Sequence, residues 1–570
     1  MKSLVQNAFP TFFLLLLATL TFANDIVLTT LQSELARSQK NLGHASAKAP
    51  MYYLQYTVYD KTTFGLSCID GGMTEPRSGH ARSFCVDLRV GSKALDNTHE
   101  LRGSDNFRDN YEQSRDQAFP LEDDTLAMKI ALWNETEYRY QKGKERFTKV
   151  LTNKQVKVNE EDRSDDFSDA TPQQYEEPSS VVAFDTTKWR DLVKRAGVRL
   201  ASMPFANSAN VTLNITNRTQ YIVNTDGSQI RQTQHYIVLS MQVSGMADDG
   251  MDLLRMEQFT CSDPSGLPTE ETVFATADRI LSELKALKSA PIVDPYIGPA
   301  ILSNRASGVF FHEIFGHRIE GHRQKNTNEG QTFTKKVNEL ILPKFISVYD
   351  DPTQRKLGAT DLRGYYKYDD EGVLSHRVTI VEHGILRNFL TSRSPLKDFP
   401  LGNAHGRREE GYPIVSRQGN LMMIPDTSVT YTRLREMLIE ECKKQNKPYG
   451  LVFNDISGGF TMTRRQGPQA FKVLPLLVYR VYADGRPDEI VRGVDIVGTP
   501  LTSFSKIIMA GNDPDVFNGT CGAESGWVPV SASSPSILVS EIEVEKRQKG
   551  QEKPPILPPP STGNGETRIP

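Results

Sequence analysis

The stretch "ANVTLNITNRTQYIVNTDGSQIRQTQHYIVLSMQVSG", Ala209 to Gly245, reads as two antiparallel strands joined at Asp226-Gly227. Apolar residues alternate with polar ones on both sides of that dipeptide. This is the two-residue period of a strand with one buried face, and Asp-Gly is a favoured hairpin turn. Toward the C-terminus, "TEETVFATADRILSELKALKSAP" (Thr269–Pro291) has the spacing of an amphipathic helix that must end before Pro291. Together these segments outline a middle α+β unit, 179–294.

Toward the N-terminus, the acidic segment Glu160–Ser180 is poor in apolar residues and reads as a loop or linker. Before it, Asp123–Gln155 predicts one long or broken helix, "SFCVDLRVG" (Ser83–Gly91) and "MYYLQYTVYD" (Met51–Asp60) predict strands, and Ile26, Leu28, Leu31, Leu35 and Ala36 mark a helix face. Residues 24–178 thus form an N-terminal α/β domain with its acidic linker. After about Pro295 the character changes to strands and turns, with turns at His383-Gly384 and Asp484-Gly485. The predicted fold class is α+β: an N-terminal α/β portion, then a β-rich C-terminal domain, 295–547, carrying a histidine-rich helix.

The two ends read differently from the rest. Residues 1–23 hold one early lysine, an apolar run from Phe12 to Leu20, and the small residues Thr21 and Ala23. This is a secretory signal peptide pattern, so the expectation is export, to the periplasm or outside the cell. No later segment approaches the ~20 apolar residues of a membrane span, so no transmembrane segment is expected after signal cleavage. Residues 548–570 are proline-rich and expected to be disordered.

A net charge of −3 with 24% charged residues offers no basic field, which argues against nucleic acid as a partner. Five cysteines are too few for a disulfide-held scaffold, and an odd number leaves at least one thiol unpaired. Cys68 and Cys85 flank a turn-rich loop and could pair. Neither a G-x-S-x-G elbow nor a P-loop occurs. Asn134, Asn210, Asn214, Asn217 and Asn518 stand in N-x-[S/T] sites, which matter only in a host that glycosylates.

The chemistry concentrates in "GVFFHEIFGHRIEGH", Gly308 to His322, with three histidines and two glutamates. The better-known zinc helix reads H-E-x-x-H, but here His317 comes one residue late after His312-Glu313. Residues four apart on an α-helix lie about 40° from each other, and residues five apart about 140°. Two imidazoles sharing a zinc must approach closely, because each Zn–N bond is about 2.0 Å. A π-type bulge opened near Gly316 would bring the pair onto one side. Glu313 could then take the proton of a water attacking a carbonyl. The alternative is a polar helix end with solvated histidines. A third ligand is also needed, and His322, five residues further on, does not match the metzincin spacing H-E-x-x-H-x-x-G-x-x-H. It reads as an exposed polar residue beyond the helix end at Gly321.

This stretch, followed in order by "YYKYDDEGVLSHRVTIVEHGILRNFLTSR", "AHGRREEGYP", "ISGGF", "DIVGTPLTSFSKIIMAGND" and "GTCGAESGWVPVSASSPSILVSEIEVE", resembles the TldD/PmbA family of metallopeptidases over about Tyr296 to Glu545. The resemblance implies zinc (Zn2+) held by His312, His317 and Cys521, with Glu313 as catalytic base. It gives the odd thiol a role. The PmbA-like branch lacks this constellation, whereas all four residues are present here. The resemblance also implies a homodimer or a heterodimer with a PmbA-like subunit, and a peptide or unfolded polypeptide as substrate. Arg407 and Arg408 are candidates for a peptide carboxylate, or members of a solvated charged loop. The expected function is an exported zinc-dependent metallopeptidase. The competing expectation is a non-enzymatic envelope or partner-binding protein with a structural zinc.

Overall fold

In the computed structural model, which describes residues 25–43, 45–101, 117–156, 162–465 and 470–547, the alternating stretch forms the strands Ala206–Asn224 and Gln229–Met246. They pair antiparallel from Ala206↔Gly245 to Val223↔Gln229, and Gly227 takes φ +103° in the turn between them. Along its other edge, Ala206–Asn224 pairs with Met51–Ile69, which in turn pairs with Arg77–Ser92. One nine-stranded sheet therefore draws on both 24–178 and 179–294. It continues past Gln229–Met246 to an edge strand, Asp252–Cys261, that the alternation did not reveal.

The period of two explains what covers each face of this sheet. Leu54, Tyr56 and Val58 point toward the helices Ile26–Leu42 and Thr125–Val156, and bury against Leu31, Leu35 and Leu132. Leu66 and Cys68, further along the same strand and of the same parity, pack under a second pair of helices, Thr186–Leu200 and Glu270–Ser289. The odd positions face the C-terminal part. Gln55 Nε2 donates to the carbonyl of Asp370 at 2.8 Å, and Arg408 Nη2 donates to Thr57 Oγ1 at 3.0 Å. Asp25, Asp185 and Thr269 each accept a backbone N–H in the first turn of their helix, which is why those helices begin there.

The C-terminal part contains a closed ring. Tyr296–Leu302 pairs with both Tyr449–Thr461 and Ile537–Lys546, and Phe471–Tyr482 and Val494–Gly498 complete a five-strand barrel. A six-stranded sheet stands beside it and ends in the hairpin Asp515–Ala523 and Gly526–Ser534. The helix Asn304–Ile314 lies between barrel and sheet, with Phe310 and Phe311 in the barrel core. The turn at His383-Gly384 has φ +46° and +80°, as a two-residue hairpin with positive φ at both positions requires. With strands, barrel and helices present, the fold is α+β.

Several expectations need correction. Cys85 stands opposite Thr57, eleven residues of extended strand and roughly 36 Å from Cys68, so the two cannot pair. All five cysteines are free and buried. The acidic segment is mostly exposed, irregular chain, but it docks at one point: Asp166, Phe167 and Ser168 are buried, and the Ser168 carbonyl accepts from Arg393 Nη2 at 2.7 Å. Arg407 and Arg408 are buried rather than solvated. Arg407 Nη1 donates to the Gln418 carbonyl at 2.6 Å, and Arg408 Nη1 donates to Asp87 Oδ1 at 2.9 Å, joining the two halves of the chain. The expected signal peptide, 1–23, and the proline-rich tail, 548–570, lie outside the described residues. No helix among the described residues is long and apolar enough to cross a membrane.

Candidate metal centre

The sequence of the helix Asn304–Ile314 sets its approach to the neighbouring sheet. A Cβ on Gly308 would come within 2.7 Å of the Ala532 carbonyl oxygen, so glycine permits direct backbone contact with the strand Gly526–Ser534. Ser307 Oγ hydrogen-bonds Ser534 Oγ at 2.7 Å in the same contact. His312 lies one turn beyond Gly308 on the same helix face, and so reaches the hairpin that carries Cys521.

The late histidine is explained by termination of the helix, not by a π-bulge. The α-helix stops at Ile314, Phe315 caps it, and His317 stands on the 3-10 turn Gly316–Arg318. The tighter turn brings His317 back toward His312, with ring centroids 5.1 Å apart. Gly316 makes room for a side chain rather than for a bulge. Its φ is ordinary, but a Cβ there would fall 2.0 Å from Gln418 Oε1.

His312, His317 and Cys521 converge, with one ligand atom from each lying within 4.8 Å of the others. All three are buried. Cys521 Sγ is 3.3 Å from His317 Nε2, and the Nδ1 of the same ring is 3.3 Å from Glu320 Oε2. Glu320 therefore orients the ring with Nε2 toward the cluster, the usual arrangement of a carboxylate behind a ligating imidazole. Arg323 Nε donates to Glu320 Oε2 at 2.9 Å, and Arg417 Nε lies 3.4 Å from its other oxygen. Arg417 also donates to the Cys521 carbonyl at 2.6 Å, so one guanidinium ties Glu320 to the Cys521 hairpin.

Electrostatics within the cluster are strongly coupled. Burial works against a charged His317, but the Cys521 thiolate and Glu320 outweigh it and hold its pKa well above the usual imidazole value. His312 is raised in the same way, against burial, chiefly by Cys521. Burial opposes the thiolate too, yet His317, His312 and Arg417 bring Cys521 well below the ordinary thiol range. Burial raises Glu313, partly offset by His312 and His317.

A metal fits this donor set. Two imidazoles and one thiolate form a zinc-type first shell that leaves a fourth position for water or substrate. The buried Nδ1 of His312 has no hydrogen-bond partner among the described residues. Glu313 stands beside the cluster with Oε2 3.9 Å from His317 Nε2, backed by Gly459, where a Cβ would meet Glu313 Cγ at 2.8 Å. His322 is not brought into the cluster and is not fully exposed either. Its Nε2 lies 3.5 Å from Glu524 Oε2, with 18% of the side chain accessible.

His312, Glu313, His317 and Cys521 all line a cavity of about 1330 Å³. Its walls come from the edge strand Asp252–Cys261, from Tyr449–Thr461 and from the hairpin strand Asp515–Ala523. Glu320, Arg323 and Glu524 carry much of the site's order, and the sequence reading assigned them no role. A carboxylate three residues after a candidate ligand was the available signal.

Residues 296–546 match the PmbA/TldA metallopeptidase C-terminal domain. A "Metalloprotease" of Archaeoglobus fulgidus is 29% identical over 240 residues, 42% of this chain and 51% of the relative. A "Zinc metalloprotease TldD homolog" of Saccharolobus solfataricus is 27% identical over 271 residues, 47% and 54% of the respective chains. The chain thus spans about half the length of these curated relatives. The fold is similar to that of TldE from Thermococcus kodakarensis, with a TM-score of 0.56 at 11% identity, covering 90% of this chain and 100% of the other.

Proposed function

We propose, from the premise that the chain belongs to the TldD/PmbA family through residues 296–546, that it is a zinc-dependent peptidase. The observation that carries this reading is the convergence of His312, His317 and Cys521 in a cavity wall with Glu313 beside them. These three side chains would hold the metal. A zinc ion there supplies Lewis-acid activation of water and of the scissile carbonyl. Glu313 accepts the proton of the attacking water at its carboxylate and returns it to the leaving amine. Glu320 keeps His317 Nε2 facing inward, and Arg417 holds the Cys521 strand in place.

The substrate is a peptide or an unfolded segment. Asp252–Cys261 and Asp515–Ala523 are each at an edge of their sheet, and both border the cavity. An extended chain can bind such edges by main-chain hydrogen bonds, as in strand addition. Folded proteins would then be poor substrates. The working unit is a dimer of two such chains, or one of this chain with a TldE-like subunit, and the protein is exported. A purely structural zinc is less favoured because three protein ligands leave a position open, and structural sites close it with a fourth.

The test joins metal analysis to peptide hydrolysis. Wild type should hold about one zinc per chain, and Cys521→Ser should lose it. Glu313→Gln should keep the metal but lose ~10²–10⁴-fold in turnover of an unstructured peptide. Full activity in Glu313→Gln would refute the peptidase mechanism.

A further inference from the structure

The cavity that holds the metal centre also presents an unmatched positive charge, on Arg363. Its neighbours show what is unusual about it. Arg305 and Arg323 line the same cavity, and each is paired: Arg305 Nη1 donates to Glu257 at 2.8 Å, and Arg323 Nη2 to Glu524 at 2.7 Å. Arg363 forms no ion pair with a carboxylate among the described residues. Its Nε is buried without a hydrogen-bond partner, and its guanidinium carbon lies 6.0 Å from the centre of the Tyr236 ring. Burial without a counter-charge pushes its pKa below the usual guanidinium range. A half-buried charge of this kind is costly unless a partner supplies the missing carboxylate.

The backbone beneath Arg363 is fixed rather than loose. Its N–H donates to Ser531 Oγ at 2.8 Å and to Asn518 Oδ1 at 3.2 Å, and the next N–H, of Gly364, also reaches Ser531 Oγ at 3.3 Å. Gly364 is pressed against Gly419, whose carbonyl oxygen a Cβ would meet at 2.1 Å. Asn518 and Ser531 are opposed residues in the two strands of the hairpin that carries Cys521. Asn518 precedes Cys521 by three residues, about 10 Å of strand, which is also the length of about three residues of extended peptide.

We propose that Arg363 is a carboxylate anchor for the substrate, holding a peptide carboxylate about three residues from the bond cleaved at the metal centre. The inference rests on the peptidase reading above. The carboxylate is either the C-terminus of a short peptide or an Asp or Glu side chain, and a bidentate guanidinium contact suits both.

Peptide binding tests this without requiring turnover. Using the full chain with Glu313→Gln, fluorescence anisotropy compares one labelled peptide as the free acid, as the C-terminal amide, and as the amide with Glu at the third position from the cleavage point. The expected result is ~10- to 100-fold tighter binding of a carboxylate-bearing form than of the plain amide, since hydrogen bonds to charged groups are the stronger kind. The preferred form identifies the source of the carboxylate. Adding Arg363→Gln should abolish the preference, and Arg363→Lys should retain part of it as a point charge. Equal binding of all three forms, no binding of any, or an undiminished preference in Arg363→Gln would overturn the anchor. Carboxylate-selective binding with no hydrolysis by wild type would uphold the anchor and refute the peptidase.

Discussion

At the metal end of the cavity, Glu320 is met by His317, Arg323 and Arg417, while along the same wall Arg363 meets no carboxylate among the described residues. The first group is withdrawn from water, and Arg363 is half-buried. The difference shows where the chain has fixed its geometry and where it leaves a charge for a ligand. Matched buried charges are expensive to separate, whereas an unmatched one is expensive as it stands. Mutations at the two places should therefore differ in size and even in sign.

The largest effect is expected at Arg323. Arg323→Met leaves Glu320, Glu329 and Glu524 without their shared cation, and breaking a buried pair from one side costs ~3–5 kcal/mol. Urea unfolding of the metal-stripped protein measures this, and a loss under ~1 kcal/mol would mean that the network is not a matched one.

Next comes Glu320→Gln, which keeps the size of the side chain but weakens its grip on His317. Zinc affinity should fall ~10–100-fold, as for other partners behind a ligating imidazole, and a chelator competition titration reads it directly. Unchanged affinity would show that ring orientation comes from packing alone.

A smaller, graded effect is expected with pH. The raised pKa values of His312 and His317 mean that zinc must displace protons from both rings, while the lowered Cys521 is already a thiolate. Zinc affinity should decline as pH falls, starting above the ordinary imidazole value of about 6.5. In the metal-free protein the histidine contribution has the opposite sign. A base raised by folding stabilises fully below its unfolded pKa, and that share is lost as pH rises through the folded one. Thermal melts with and without zinc across pH should therefore diverge. Parallel curves would contradict the coupling.

The smallest change belongs to the other side of the comparison. Arg363→Met removes a charge with no carboxylate partner among the described residues, so stability should move by less than ~1 kcal/mol or improve. A loss as large as that of Arg323→Met would reveal a hidden counter-charge and erase the contrast.

These contrasts were only partly legible in the sequence. The strands at Ala206–Asn224 and Gln229–Met246 were readable because alternation and an Asp-Gly turn are local signals. Asp252–Cys261 was missed because Arg255 and Glu257 interrupt its pattern. Both find partners elsewhere, Arg255 in Asp455 and Glu257 in Arg305, and those pairings are long-range. Arg407 and Arg408 were hard to read for the same reason, since Asp87 lies 321 residues from Arg408 in the chain. The quartet His312, Glu313, His317 and Cys521 was identifiable through an ordered set of motifs, but the local geometry was not. Spacing alone could not distinguish a bulged helix from one that stops at Ile314 and restarts as a tighter turn. Arg363 gave no signal, because a missing partner is visible only once every neighbour is placed.

The five unpaired, buried thiols have a practical consequence. Cys68, Cys85, Cys261 and Cys442 are packed in the interior, while Cys521 borders the cavity. Alkylation kinetics would therefore report the condition of the molecule in discrete steps. A metal-loaded native chain should resist the reagent throughout. Stripping the metal should release a single fast equivalent from a thiolate of low pKa, and denaturation should release the remaining four. Mass spectrometry of the labelled protein would then give, molecule by molecule, the fraction folded and the fraction loaded.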